Sequence, residues 1–306
     1  MRRMSKSQSS SPYEYQILAK LPPFSHKRYF KQRLQQLVFR YSTNSPFLSG
    51  DSFSDLVDYS PYGKRGDKKI NRNRLRKAKS LFVVGHKVAE LFENEFKNIN
   101  ATLLISGNSD QNFTEKVKIP KSIKHWYCQN NAMPDSEIIR TLPIGIENIR
   151  LANLGFPSNY AQTSAEKKFN KVIVPPMSAT NLSRFTAVEW GEKNSDIAEV
   201  VRKMVPRKEY FPFINEYKFV ICCEGNGFDS HRVWETLYLG NFPILMRTQW
   251  SQSLEYLNLP ILFVDNYSHI NLDLLNRFRE KWNNFDPKKT EILWIPYWKN
   301  LFNKLV

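Results

Sequence analysis

Apolar residues fall along this chain in two series of short runs, each run followed by an amphipathic or polar stretch. Residues 80–85, Ser80-Leu81-Phe82-Val83-Val84-Gly85, are uncharged and end in glycine, the length and closure of a buried strand. Residues 88–96 then carry apolar positions at helical spacing. Residues 101–107, 125–128 and 140–145 repeat the strand signature. The second series starts at 171–176. It predicts a helix over 183–204, a strand over 217–223, a helix over 230–239, strands over 242–246 and 260–264, and helices to the end. A further helical pattern covers 29–41, after Leu21-Pro22-Pro23. Continuously apolar strands alternating with helices indicate parallel sheets covered on both faces. Residues 155–170 are polar and lack periodicity, so the linker is placed there. The expectation is an α/β protein with two Rossmann-like domains facing a cleft. It has a disordered basic tail (1–14), a first domain (15–160), a second domain (168–284), and a C-terminal helix (285–306) packing back on the first domain. No internal repeat is present.

The chain's 306 residues suit two domains of roughly 150 each. No run of about 18 uncharged apolar residues suggests a membrane span. The start, Met1-Arg2-Arg3-Met4-Ser5-Lys6, leads into serines rather than an apolar core, unlike a secretory signal. Three cysteines, Cys128, Cys222 and Cys223, give no disulfide framework and fit a reducing compartment. The adjacent pair reads as small buried strand residues. A cytoplasmic location is expected. His86 and His125, beside apolar runs, read as core residues.

The net charge of +16 favours an anionic partner: nucleic acid, a nucleotide sugar or an acidic membrane surface. Residues 64–79 concentrate it, with nine Lys or Arg against one acid, Asp67. The plainer reading of such a run is a solvated helix face. The aromatic, basic end, residues 292–306, offers Trp and Lys anchors for peripheral contact with a membrane; a terminal helix packed on the first domain is the preferred reading.

The sharpest local feature is Gly225-Asn226-Gly227-Phe228-Asp229-Ser230-His231-Arg232-Val233-Trp234-Glu235, leading from a strand into a helix. Gly225 and Gly227 let the backbone turn tightly and approach a ligand closely. The helix N-terminus beyond favours a diphosphate. Arg232 and Glu235 are three apart and His231 and Glu235 four apart, so they share a face. A guanidinium can grip phosphate oxygens, and a carboxylate one turn deeper can accept from a ribose diol. A plainer reading makes Asp229, Arg232 and Glu235 a capped helix start with a surface ion pair. The loop's place at the C-terminal end of an α/β strand favours a ligand.

Residues 216–244, which contain this stretch and continue through Gly240-Asn241-Phe242-Pro243-Ile244, resemble the donor-domain core of exostosin-like GT-B glycosyltransferases. The resemblance implies that Arg232 faces the donor phosphates and Glu235 the ribose. Pro46-Phe47-Leu48-Ser49-Gly50-Asp51-Ser52-Phe53, Leu104-Ile105-Ser106-Gly107-Asn108-Ser109-Asp110 and Leu142-Pro143-Ile144-Gly145-Ile146-Glu147-Asn148 look like other parts of such proteins, in the right order. Coverage is roughly residues 45–270. The chain is short for the pattern, and Glu224 puts an acid where a neutral residue is expected.

On this reading the donor is held by Arg184, Gly225, Asn226, Gly227, Asp229, His231, Arg232 and Glu235. Arg184 opens the second domain's first helix and stabilises the departing diphosphate, or is a surface residue beside a capping Asn181. Asp51 is a general base for an acceptor hydroxyl, or the N-cap of a short helix over 52–58. Asp110 is the second candidate base, and Glu147 and Asn148 are acceptor contacts. No Asp-x-Asp pair suggests metal ligands, so no metal or cofactor is expected beyond the nucleotide-diphosphate sugar co-substrate. The acceptor is a glycan or a lipid-linked glycan. The alternative is a non-enzymatic basic nucleic-acid-binding α/β protein, although no nucleic-acid-binding signature is present and no nucleic acid is expected.

Overall fold

The computed structural model describes residues 26–115, 117–133, 136–160 and 167–306. The tail assigned to 1–14 lies outside the described residues, as do residues 161–166 of the linker. The chain is α/β, with two parallel sheets. The first sheet has β1 (Ser80–Val84), β2 (Leu103–Gly107), β3 (His125–Cys128) and β4 (Ile139–Thr141) in the order 1-2-3-4. Its register aligns Leu81, Leu104, Trp126 and Ile139 across the strands. Strand alternation sends Phe82, Val84, Leu103, Ile105 and Tyr127 into one apolar cluster and Leu81, Val83, Leu104, Trp126 and Cys128 into another. Both faces are therefore buried, which explains why the strands read as unbroken apolar runs.

The second sheet has β5 (Lys168–Val174), β6 (Ala198–Val200), β7 (Tyr217–Ile221), β8 (Phe242–Met246) and β9 (Leu262–Val264) in the order 6-5-7-8-9. The chain leaves β5 in one direction to form β6, then returns to lay β7 on the other side of β5. Strand order thus reverses between β5 and β7, and it is beyond the C-terminal ends of strands at such a reversal that α/β sheets bind ligands.

Helices α1 (His26–Val38), α2 (Gly50–Ser54), α3 (Arg72–Lys77) and α4 (Val88–Glu95) belong to the first half. Then come α5 (Ser183–Lys193), α6 (Arg207–Asn215), α7 (His231–Tyr238), α8 (Gln249–Gln252), α9 (Leu272–Lys281) and α10 (Ile295–Asn303). The helix predicted over 183–204 is shorter. It stops at Lys193, the Ile197 and Ala198 amides fold back onto the Asn194 carbonyl, and residues 198–200 pair with β5 as a strand. A three-residue strand buried by its neighbour leaves no period of its own in the sequence. Helix α10 sets Trp298 edge-on to Phe53 at 5.5 Å and to Tyr127 at 6.0 Å, beneath the first sheet. Cys222 and Cys223 are buried free thiols just beyond β7. His86 is exposed rather than in the core, with Nδ1 3.4 Å from the Ser109 Oγ, because Gly85 ends the strand and turns the chain outward.

Candidate functional site

The loops leaving β5 and β7 meet at the reversal point, and two arginines meet there with them. Arg184, in the first turn of α5, lays its guanidinium across the β7 loop. Its Nε donates to the Glu224 carbonyl at 2.9 Å, and its Nη1 donates to the Ser178 carbonyl at 2.9 Å and to the Ser178 Oγ at 3.1 Å. A Cβ on Gly225 would stand 3.5 Å from Arg184 Nη2, with no other side chain crowding it. Arg232, in the first turn of α7, donates from Nε to the Tyr210 hydroxyl at 3.1 Å and from Nη2 to the Pro176 carbonyl at 3.1 Å. Both side chains are half-buried. Burial first, and Arg232 second, push the Arg184 guanidinium down to about 10, so the two cations feel each other. Among the described residues neither has an acid within ion-pair distance. Charged groups withdrawn from water are normally paired; these two guanidiniums are held by carbonyl and hydroxyl oxygens, and the negative charge that reaches Arg232 is that of the buried Glu235 on the same helix, a setting that suits an anionic ligand.

The helix ends around them are also incompletely satisfied. Among the described residues no side chain caps α7, and Ser230 Oγ at its N-cap and Ser183 Oγ at the start of α5 are buried without hydrogen-bond partners. An open helix N-terminus adds partial positive charge. One turn into α7, Glu235 is 5% exposed, and among the described residues no donor reaches its carboxylate. Burial pushes Glu235 up to about 7, Arg232 pulls it down, and Glu147 adds to the rise. Tyr160, whose buried hydroxyl also has no partner, is driven upward by burial and then by the Glu235 carboxylate. A buried carboxylate that no donor reaches among the described residues, beside two guanidiniums held by carbonyl and hydroxyl oxygens, suits a ligand that is anionic at one end and carries hydroxyl donors at the other.

Four of the residues expected at the donor join the two halves of the chain instead. Asp229 is 4% exposed. Its Oδ2 accepts the Ile144 amide at 2.9 Å, both its oxygens accept Trp234 Nε1, and its own amide donates to Asn130 Oδ1 at 2.8 Å. Burial pushes it up to about 7 against these hydrogen bonds. His231 sets Nδ1 2.8 Å from the Gly145 carbonyl. Asn226 donates to Asp110 Oδ2 at 3.3 Å across the loops. Gly227 is bare because a Cβ would come within 2.7 Å of Asn130 Nδ2; it serves loop docking, whereas a Cβ on Gly225 would make only ordinary contact with Arg184 Nη2 and the Gly227 carbonyl.

The residues expected at an acceptor, Asp110 apart, form a closed network at the C-terminal ends of the first sheet. Asp51 is fully buried. Its Oδ2 accepts Arg150 Nε at 2.6 Å and its Oδ1 accepts Asn108 Nδ2 at 2.8 Å. Asn108 Oδ1 accepts Asn148 Nδ2, and Asn148 Oδ1 accepts the Asp51 amide, both at 2.8 Å. Asp51 lies inside α2, and Ser49 rather than Asp51 is the N-cap, accepting the Ser52 amide. Both Glu147 oxygens are engaged, by Asn153 Nδ2 at 2.9 Å and by the Leu154 amide at 2.6 Å. Only Asp110, exposed at the meeting of the loops, keeps an oxygen open.

Spacing along the chain offered no sign of Tyr210, Ser178, Asn130 or Tyr160. They arrive from α6, the β5 loop, the β3 loop and the segment after Asn148, and no local period marks such partners. No protein-family model matches the chain, and no curated protein shows significant similarity to it.

Proposed function

We propose that this protein is a nucleotide-sugar-dependent glycosyltransferase of two-domain GT-B type. On this reading the first half of the chain faces the acceptor and the second half holds the donor. The observation that carries the proposal is the pair Arg184 and Arg232 at the strand-order reversal, close enough for each charge to be felt by the other and, among the described residues, with no acid within ion-pair distance. The two guanidiniums and the open end of α7 would bind the donor diphosphate, and Glu235 would accept hydrogen bonds from the ribose diol.

The reaction is attack by an acceptor hydroxyl on the anomeric carbon, with the nucleoside diphosphate leaving. Charge grows on the leaving phosphate oxygens in the transition state, where fixed cations lower the barrier most. Arg184 and Arg232 supply that charge without a metal. Asp110, with an oxygen open where the two halves meet, would take the acceptor proton. Asp51 and Glu147 would hold the acceptor-side loops in place.

The test is a thermal-shift screen of UDP-, GDP- and CMP-sugars followed by a transfer assay with the donor found. A binding donor raises the melting temperature by mass action. The expected result is a shift with one nucleoside diphosphate sugar that is lost in Arg232→Gln. No shift with any of them would overturn the reading.

A further inference from the structure

Helix α1 is folded inside out. Its glutamines face the protein: Gln32 Nε2 and Gln36 Nε2 donate to the Leu151 carbonyl at 3.0 and 3.1 Å, and Phe39 just beyond the helix meets Phe156 edge-on at 5.5 Å. Its apolar residues face solvent. Phe30, Leu34, Leu37 and Val38 are 66%, 50%, 67% and 75% exposed, and Tyr41 in the following turn is 87% exposed. At 3.6 residues per turn the four helical positions fall within an arc of about 100°, a full apolar stripe. Exposed Lys31, Arg33 and Arg40 flank it. A surface helix normally buries such a stripe; this one turns it away from its own core.

The helix ends at a basic cavity. Arg40 and Tyr41 line a space of about 570 Å³ together with Lys64, Lys68, Lys69 and Arg74, and its walls hold seven Lys or Arg against three Asp. Two of those acids are spent: Asp55 pairs with Lys64 at 2.5 Å, and Asp58 accepts the Lys79 and Ser80 amides. Residues 64–71 are thus a loop over a cavity, and only Arg72–Lys77 of the basic stretch is helix.

We propose that α1 and this cavity form one docking surface for an anionic lipid bilayer. The helix lies in the interface plane with Phe30, Leu34, Leu37 and Val38 at the acyl boundary, and the cavity receives a lipid phosphate. Interfacial helices have this make-up: an apolar stripe with cationic flanks, near further Lys and Arg that an acidic leaflet attracts. A second copy of this chain suits the surface poorly, because two faces ringed with positive charge repel. A nucleic acid would use the cations and leave the stripe in water. The proposal does not depend on the donor reading.

The test is co-sedimentation of the full chain with vesicles of phosphatidylcholine alone, or with about a third of the lipid replaced by phosphatidylglycerol. The wild type should pellet with the anionic vesicles and remain in solution with the neutral ones. Leu34→Gln/Leu37→Gln/Val38→Gln changes only exposed side chains and should weaken binding by at least about tenfold. Lys68→Gln/Lys69→Gln should flatten the salt dependence. Nucleotide-sugar affinity should be unchanged in both variants, which separates this surface from the donor site. The proposal is overturned if the wild type stays in solution with anionic vesicles, or if the apolar variant binds them as tightly as the wild type. It is equally overturned by a wild-type dimer that the apolar variant dissolves, which would assign the face to a second copy, or by an oligonucleotide that binds this surface when vesicles do not.

Discussion

The C-terminal edges of the two sheets carry similar inventories of polar residues and use them in opposite ways. At the first, Asp51, Asn108, Asn148 and Arg150 satisfy one another in a closed circuit of hydrogen bonds. At the second, among the described residues, Arg184 and Arg232 have no acid within ion-pair distance, no hydrogen-bond donor reaches the Glu235 carboxylate, and Ser183 and Ser230 keep buried hydroxyls without partners. A satisfied network stabilises a fold, while an unsatisfied one costs stability unless a ligand completes it. The difference follows from topology. The first sheet runs 1-2-3-4 with no reversal, whereas the second reverses between β5 and β7, the position at which α/β sheets bind ligands.

The contrast makes substitutions at the two edges differ in kind. Asp51→Ala removes the acid from an ion pair in which Arg150 is 11% exposed and Asp51 1%. Breaking a buried pair on one side costs about 3–5 kcal/mol, a fall in melting temperature on the order of 10 °C. Thermal unfolding followed by circular dichroism checks this, and an unchanged melting temperature would show that the circuit carries no load. At the other edge Arg232→Ala and Arg184→Ala should leave the melting temperature within a few degrees. Each should weaken donor binding by about tenfold to a hundredfold, since a hydrogen bond to a charged group contributes about 1.5–3 kcal/mol. Isothermal calorimetry reads both.

Glu235 adds a pH signature. Its carboxyl is pushed up to about 7, and a diol that donates to it needs the charged form. Donor affinity should therefore be full above about pH 7 and fall as pH falls, by up to about tenfold per unit. Glu235→Gln should flatten that slope. Stability should run the other way. Asp229 and Glu235 both have raised values in the fold, so their contribution is full below the ordinary carboxylate range and is lost as pH rises through about 7. Affinity and melting temperature with the same pH trend would contradict this account of the buried carboxylates. The smallest effect expected is that of a chelator: with two arginines supplying the leaving-group charge, transfer should continue in EDTA. Loss on chelation, restored by manganese or magnesium, would require a metal.

Much of the architecture was legible in the sequence because buried parallel strands leave continuous apolar runs, as at 80–84, 103–107 and 217–221. What was short or supported from a distance was not legible. Strand β6 is three residues long and reads as the tail of a helix. The loop from Gly225 to Glu235 stood out in the sequence as a candidate site, but its internal division did not. Arg232 and Glu235 stay open while Asp229, His231 and Gly227 hold the loop to Gly145, Ile144 and Asn130. Those partners lie about 85–100 positions away, and spacing within a helix says nothing about them. Asp51 and Glu147 read as candidate chemistry from their turn-like settings. Only the fold reveals the Arg150, Asn108, Asn153 and Leu154 groups that occupy them. Sequence also marks α1 as amphipathic without saying which face meets the protein.

The most direct test is calorimetric titration of the wild type and the Arg184→Gln/Arg232→Gln variant with one nucleoside as its monophosphate, its diphosphate and its diphosphate sugar. If the two guanidiniums are the diphosphate site, the wild type should bind the diphosphate and the diphosphate sugar well and the monophosphate weakly. The double variant, still folded, should lose that preference for the second phosphate. Equal affinity for monophosphate and diphosphate in the wild type, or a preference that survives in the double variant, would contradict the assignment.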